Sequence, residues 1–269
     1  MSEVFDAMAA MKVRRSIRAF DGRALSEEDA AKLREYVVAT RPGFGVTARV
    51  EFIQADFGPE RVRLGTYGSV KGAKDFLGLV YAEQPFAEEA AACWFEQIVL
   101  YCTSLGIATI WLAGFTHSSF DKYVQLADGE RVRFACPVGY AGGTKPMIER
   151  LGLINTDKIH ASKKPIDKLC IGSSFQPLTL ADLGEFAEPA QMVRIAPSAK
   201  NLQPYLLMVD DGRCRFFHDG SRFARTDAGI AMCHFALAAK ATGIEGEFVH
   251  EQNVPTPPGY SYSISWVRS

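Results

Sequence analysis

No two cysteines in this chain stand in a C-x-x-C arrangement. The six present, Cys93, Cys102, Cys136, Cys170, Cys214 and Cys233, are scattered, and none joins a histidine at a zinc-ligand spacing. A dithiol redox motif and a structural zinc site are therefore excluded, and reduced thiols in a core are the expectation. An excess of one charge is also missing. Thirty Lys and Arg face 31 Asp and Glu, with a net charge of -1 and a pI near 6.5, so nucleic-acid binding through bulk charge is disfavoured. No run reaches the roughly 18 apolar residues of a membrane helix. Glu3 and Asp6 interrupt the first eleven residues, so no signal peptide is read there. These absences lead to the expectation of a soluble cytoplasmic protein with no metal site.

What is present is an ordinary globular composition, 48% hydrophobic and 23% charged over 269 residues. That length suits one large domain or two small ones. The chain repeats itself imperfectly. Leu25-Ser26-Glu27-Glu28-Asp29 and Leu178-Thr179-Leu180-Ala181-Asp182 both read as helix starts, with a hydroxyl cap and an acid in the first turn. A proline turn follows in each (Pro42, Pro197), then a strand-like run, Val50–Ala55 and Tyr205–Val209. Next come two long helical patterns that are apolar nearly all round, Glu88–Leu105 and Asp227–Thr242, which predicts buried central helices. Asp227 reads as the N-cap of the second, Gly106 and Gly243 as C-caps, and His234 as a hydrogen-bonded core histidine. Short aromatic stretches follow, Ile110-Trp111-Leu112 and Glu247-Phe248-Val249, and read as strands. The pattern predicts an α+β protein of two tandem halves, residues 1–168 and 169–269, with 142–168 as a polar, basic crossover carrying some structure of its own.

Against the nearly neutral background, VRRSIRAF (Val13–Phe20) gathers Arg14, Arg15 and Arg18 around Ser16. Close like charges repel, so an anion is a natural partner. Arginine forks bind phosphate oxygens bidentately and a serine hydroxyl adds a donor. The plainer alternative is a solvated basic turn. Tyr67-Gly68-Ser69-Val70-Lys71-Gly72 is glycine-rich with one cation but lacks the order of a P-loop. Its alternatives are a cofactor contact or a plain loop. Asn201 and Gln203, between Pro197 and Pro204, offer amides for a ligand or for an Asx turn.

On these residues the chain resembles the nitroreductase family of flavoproteins. Arg14-Arg15-Ser16-Ile17-Arg18 resembles the family's opening phosphate motif. Ala196-Pro197-Ser198-Ala199-Lys200-Asn201-Leu202-Gln203-Pro204-Tyr205 is similar to its Ala-Pro-Ser-x-x-Asn-x-Gln-Pro-Trp motif. Pro137-Val138-Gly139-Tyr140 and Ser162–Asp167 resemble later segments. The resemblance implies a nitroreductase-like fold that binds FMN, with NADH or NADPH as reductant and a small molecule such as a nitroaromatic or quinone as acceptor. It implies Arg14, Arg15, Ser16, Arg18, Lys163 and Lys164 at the phosphate. Tyr67 and Lys71 would lie on the ribityl or dimethylbenzene side, and Trp111, Leu112, Ala113 and Gly114 along the ring. Pro197, Ser198, Asn201 and Gln203 would lie at the ring's polar edge. The cofactor performs the chemistry, so no catalytic side chain is assigned.

Family members are usually homodimers in which one subunit supplies the arginines and the other the Asn/Gln loop. Here the first half has the arginines but Pro42–Ala48 lacks Asn and Gln, and the second has Asn201 and Gln203 but Leu169–Phe175 lacks arginine. The resemblance thus points to the family's single-chain, duplicated branch, a pseudo-dimer expected to be monomeric, with a homodimer as the alternative. A flavin-binding sensor or store without turnover, and a flavin-consuming or dehalogenating relative, are the rival functions.

Overall fold

The computed structural model describes residues 5–54, 69–112, 120–121, 123–152 and 162–269; Tyr67, Ala113 and Gly114 of the expected cofactor set lie outside them. The chain divides into two units. The first comprises Met1–Asp6, Val13–Ala87 and Trp94–Lys158, and the second Ala7–Lys12, Glu88–Cys93 and Ile159–Ser269.

A short helix, α1 (Ala7–Val13), opens the described chain, and α2 (Glu27–Ala39) follows. The Ser26 hydroxyl accepts from the Asp29 amide at 3.1 Å, and Glu27, Glu28 and Asp29 crowd the first turn. The cap is thus the one the sequence predicts, with acids at the positive end of the helix dipole. Strands β1 (Ala48–Gln54), β2 (Asp75–Ala82), β3 (Ala108–Thr109) and β4 (Glu130–Gly139) form an antiparallel sheet in the order β1-β2-β4-β3. Helix α3 (Ala87–Ser104) lies between β2 and β3 in the chain. Phe20, Ile53, Phe76, Val80, Ile110, Phe120 and Val132 make one apolar cluster of this first unit. A four-residue helix, α4 (Met147–Arg150), stands in the crossover, which also carries a 3-10 turn at Ile166–Lys168.

The second unit has β5 (Cys170–Ile171), α5 (Ala187–Ile195), β6 (Tyr205–Asp210), β7 (Arg213–His218), α6 (Ala224–Ala241), β8 (Gly246–Val249) and β9 (Ser261–Arg268). Its sheet runs β5-β6-β7-β9-β8. Leaving β5 aside, strand order β6-β7-β9-β8 repeats β1-β2-β4-β3, with the long helix inserted at the same place. The helix ends repeat as well. Gly106 and Gly243 are left-handed, at φ 74° and 76°. The amides of Ile107 and Ile244 reach back five residues to the carbonyls of Cys102 (2.9 Å) and Ala239 (2.8 Å). Both helices therefore close on a Schellman motif.

Three local expectations are corrected. Asp227 is not an N-cap: α6 begins at Ala224, and Asp227 lies buried inside its first turns. The Thr179/Asp182 capping box is formed, but it opens a 3-10 segment, Leu180–Phe186, broken by left-handed Gly184; the α-helix starts only at Ala187. Ile110–Leu112 is not a continuous strand. The ladder ends at Thr109 and returns at one Leu112–Ala135 bridge. His234 is a core histidine, fully buried, with Nδ1 3.0 Å from the Met192 carbonyl.

Candidate functional site

In the first unit, Arg14–Phe20 is held extended by the backbone around it. The Ile17 amide donates to the Thr109 carbonyl, Phe20 to Lys71, and Lys71 to Arg18, each at 2.9 Å. Gly142 donates to Ala19 at 3.0 Å. Close approach requires glycine at position 72, where φ is +80° and a Cβ would stand 2.1 Å from the Phe20 carbonyl oxygen. These contacts set the segment from Arg14 to Phe20 beside Lys71 and beside Thr109, two residues before Trp111.

Within it, Arg14 is 2% exposed, and its Nε and Nη1 atoms have no hydrogen-bond partner. Burial pushes its pKa down, against the opposing pull of Glu96. Glu96, on α3, is fully buried and accepts from the Trp111 indole N–H at 2.6 Å. Trp111 stands edge-on to Phe95 at 4.9 Å and to Phe134 at 5.7 Å. Arg18 is half-buried, its pKa lowered by burial and supported by Glu149. Arg15 and Lys71 are exposed. Burial of the Cys136 thiol pushes its pKa up to about 12, so it stays neutral. A buried guanidinium with two unused donors is costly unless an anion meets it, and phosphate oxygens are a suitable partner.

In the second unit, the basic segment and the Asn/Gln segment are knitted together. Lys163 Nζ donates to the Ala196 carbonyl (2.5 Å) and Lys164 Nζ to the Gln203 carbonyl (2.9 Å). The Asn201 Nδ2 group donates to the Ser162 carbonyl (3.2 Å) and hydroxyl (3.1 Å). The Ser198 hydroxyl, one residue after Pro197, accepts from the Gln203 amide at 3.0 Å. The Gln203 side chain is fully buried. Its oxygen accepts from the Lys164 amide (2.7 Å), and its nitrogen donates to the Arg194 carbonyl (2.9 Å). Its amide thus ties Ser162–Lys164 to α5, and any help it gives a ligand is indirect. Asn201 differs: its Oδ1 is buried and has no partner, an acceptor suited to a ligand N–H.

Lys200, Asn201 and Gln203 all have left-handed backbones, at φ 52°, 59° and 47°. Such residues cost about 1–3 kcal/mol each unless their surroundings enforce them. Part of that enforcement comes from Asp227, whose two oxygens accept from the Ala199 amide at 3.0 and 3.1 Å. Burial raises the Asp227 pKa to about 7, against the Ala199 hydrogen bond and the nearby Lys163 charge.

Glu96, Arg194 and Asp227 were not singled out for this site from the sequence. The available signal was the one carboxylate in a mostly apolar stretch, Glu96 in Trp94–Cys102 and Asp227 in Ala224–Phe235. A polar surface hollow between Glu185, Arg213 and Arg268 shares none of these residues.

The doubled strand order around long buried helices defines an α+β protein with the nitroreductase-like fold. A nitroreductase family model, described as "Putative TM nitroreductase", matches residues 6–239, and the chain belongs to that family. A "putative nitroreductase" of Thermotoga maritima has a similar structure, with a TM-score of 0.62 at 18% identity, over 98% of this chain and 94% of that one. A Bacteroides fragilis nitroreductase with bound FMN gives 0.42 at 18% identity, over 52% of this chain and 90% of that one. An FMN-dependent nitroreductase from Clostridium difficile gives 0.43 at 16%, over 51% and 89%. No curated protein matches the chain.

Proposed function

We propose that this protein is an FMN-dependent oxidoreductase that uses NADH or NADPH to reduce a small acceptor such as a nitroaromatic or a quinone. The observation that carries the reading is Arg14, a buried guanidinium with two unpaired donors inside a family phosphate motif. Family membership and the FMN named in two similar structures support it. When bound, FMN supplies two-electron chemistry, accepting hydride from the nicotinamide and passing it to the acceptor.

The residues present fit the cofactor's groups. Arg14, Ser16 and Arg18 offer charged and neutral donors to a phosphate, with Arg15 on the same segment and Lys71 on the backbone paired to it, both exposed. Trp111 and Leu112 would pack along the ring. The unpaired Asn201 Oδ1 suits the ring's imide N–H. Lys163, Lys164, Pro197, Ser198 and Gln203 would hold the segment that carries Asn201. No side chain is assigned as a catalytic acid or base.

The deciding experiment is the visible spectrum of the purified protein, with released flavin identified, followed by NADH and NADPH oxidation with menadione and with a nitroaromatic. A yellow protein that releases FMN and oxidises either nucleotide is expected. A colourless protein that takes up no FMN overturns the proposal, and FMN binding without turnover reduces it to a flavin carrier.

A further inference from the structure

We propose that Asp227 is a positioning residue for the proposed cofactor, holding Ala199–Gln203 in the left-handed shape that presents Asn201. The inference rests on the FMN reading above. Asp227 is 3% exposed and spends both carboxylate oxygens on the Ala199 amide, which opens the segment where three non-glycine residues turn left-handed within four positions. Ser198 closes the same turn on the Gln203 amide, and Asn201 is tied to Ser162. Asp227 thus anchors this turn from α6, and either of its oxygens can accept the single Ala199 N–H.

The charges facing Asp227 are Lys163, which favours its ionised form, and Glu88 and Asp219, which oppose it. Because burial sets the titration near pH 7, the hold persists through an acceptor oxygen on either side of neutrality, while the local charge changes.

The test uses the full chain and three forms: wild type, Asp227→Asn and Asp227→Ala. In the apo protein, amide exchange of residues 199–203 should quicken about tenfold or more in Asp227→Ala and return close to wild type in Asp227→Asn, the scale of one hydrogen bond to a charged acceptor. FMN titration at pH 6 and pH 8 supplies the second reading. Asp227→Asn, which keeps an acceptor oxygen for the Ala199 N–H, should bind FMN within about twofold of wild type at both values. Asp227→Ala should bind FMN about tenfold more weakly at both values. Unchanged exchange in a folded Asp227→Ala, or FMN binding in Asp227→Asn as weak as in Asp227→Ala, overturns the proposal. If wild type binds no FMN while the exchange pattern holds, the flavin reading falls and the positioning of the turn stands.

Discussion

Arg14 and Asp227 are both buried charges, and they respond oppositely to removal. Arg14 has unused donors, so its contribution should appear when an anion arrives. Replacing Arg14 or Arg18 by alanine should weaken FMN binding by about 1.5–3 kcal/mol, the scale of a hydrogen bond to a charged group. Fluorescence titration checks it, and unchanged affinity in the double variant would refute a phosphate role. Asp227 already has its partner, and what it lacks is solvent. Its folded-state pKa of about 7 lies above the ordinary 3.8. The linked stability is therefore fully present below about pH 4 and is lost as pH rises through about 7. Asp227→Asn removes that loss, so relative to wild type it should gain on the order of 2 kcal/mol between pH 5 and pH 8. Melting curves at the two pH values would show it, and a constant difference between the proteins would contradict it.

Among the elements, Gly229 sets two effects against each other. Alanine in a helix interior is favoured over glycine by about 1 kcal/mol. A Cβ at this position on α6, however, would stand 2.3 Å from the Glu89 carbonyl oxygen and 2.9 Å from the Ala92 Cβ. Steric overlap at that distance outweighs propensity, so Gly229→Ala should destabilise the protein by about 1–3 kcal/mol, read from chemical denaturation. The exposed cap offers a milder test: Ser26→Ala should cost about 1 kcal/mol. Elements of this kind were the legible ones. Ser26, Gly106 and Gly243 act through their own backbone neighbours, so their roles can be read from a few adjacent letters. The start of α6 was not legible, because Asp227 looks like a cap locally and is recruited instead by Ala199, 28 residues away. The same limit applies to the candidate site. Sequence identified Asn201 and Gln203 as amide donors and acceptors. That Gln203 turns inward to Lys164 and Arg194, while the Asn201 oxygen is left unpaired, depends on packing that no spacing encodes.

At the scale of the whole molecule, the two halves read as near-repeats in sequence, and four strands of each sheet follow the same order. The arginine motif and the Asn201–Gln203 motif each occur once, which motivates the proposal of one FMN per chain. Titration of apo-protein should saturate at a ratio of one, and a ratio of two would show that the second set of segments also binds. We further propose that the protein is monomeric, on the reading that its two halves stand in for the two subunits that the sequence resemblance implies. Sedimentation at micromolar concentration should give the mass of a single 29.6 kDa chain, and a tight dimer would refute this.

The repeated strand order has a consequence for inheritance. When two identical subunits build two identical sites, every mutation is written into both at once, and neither can be given up alone. A chain that carries its two copies in tandem escapes that constraint. If the two halves are such copies, each drifts under its own substitutions, so Pro42–Ala48 can shed amides that Asn201 and Gln203 retain, and Leu169–Phe175 can shed the arginines kept at Arg14 and Arg18. Segments released in this way are free to acquire a different task without loss to the proposed flavin site.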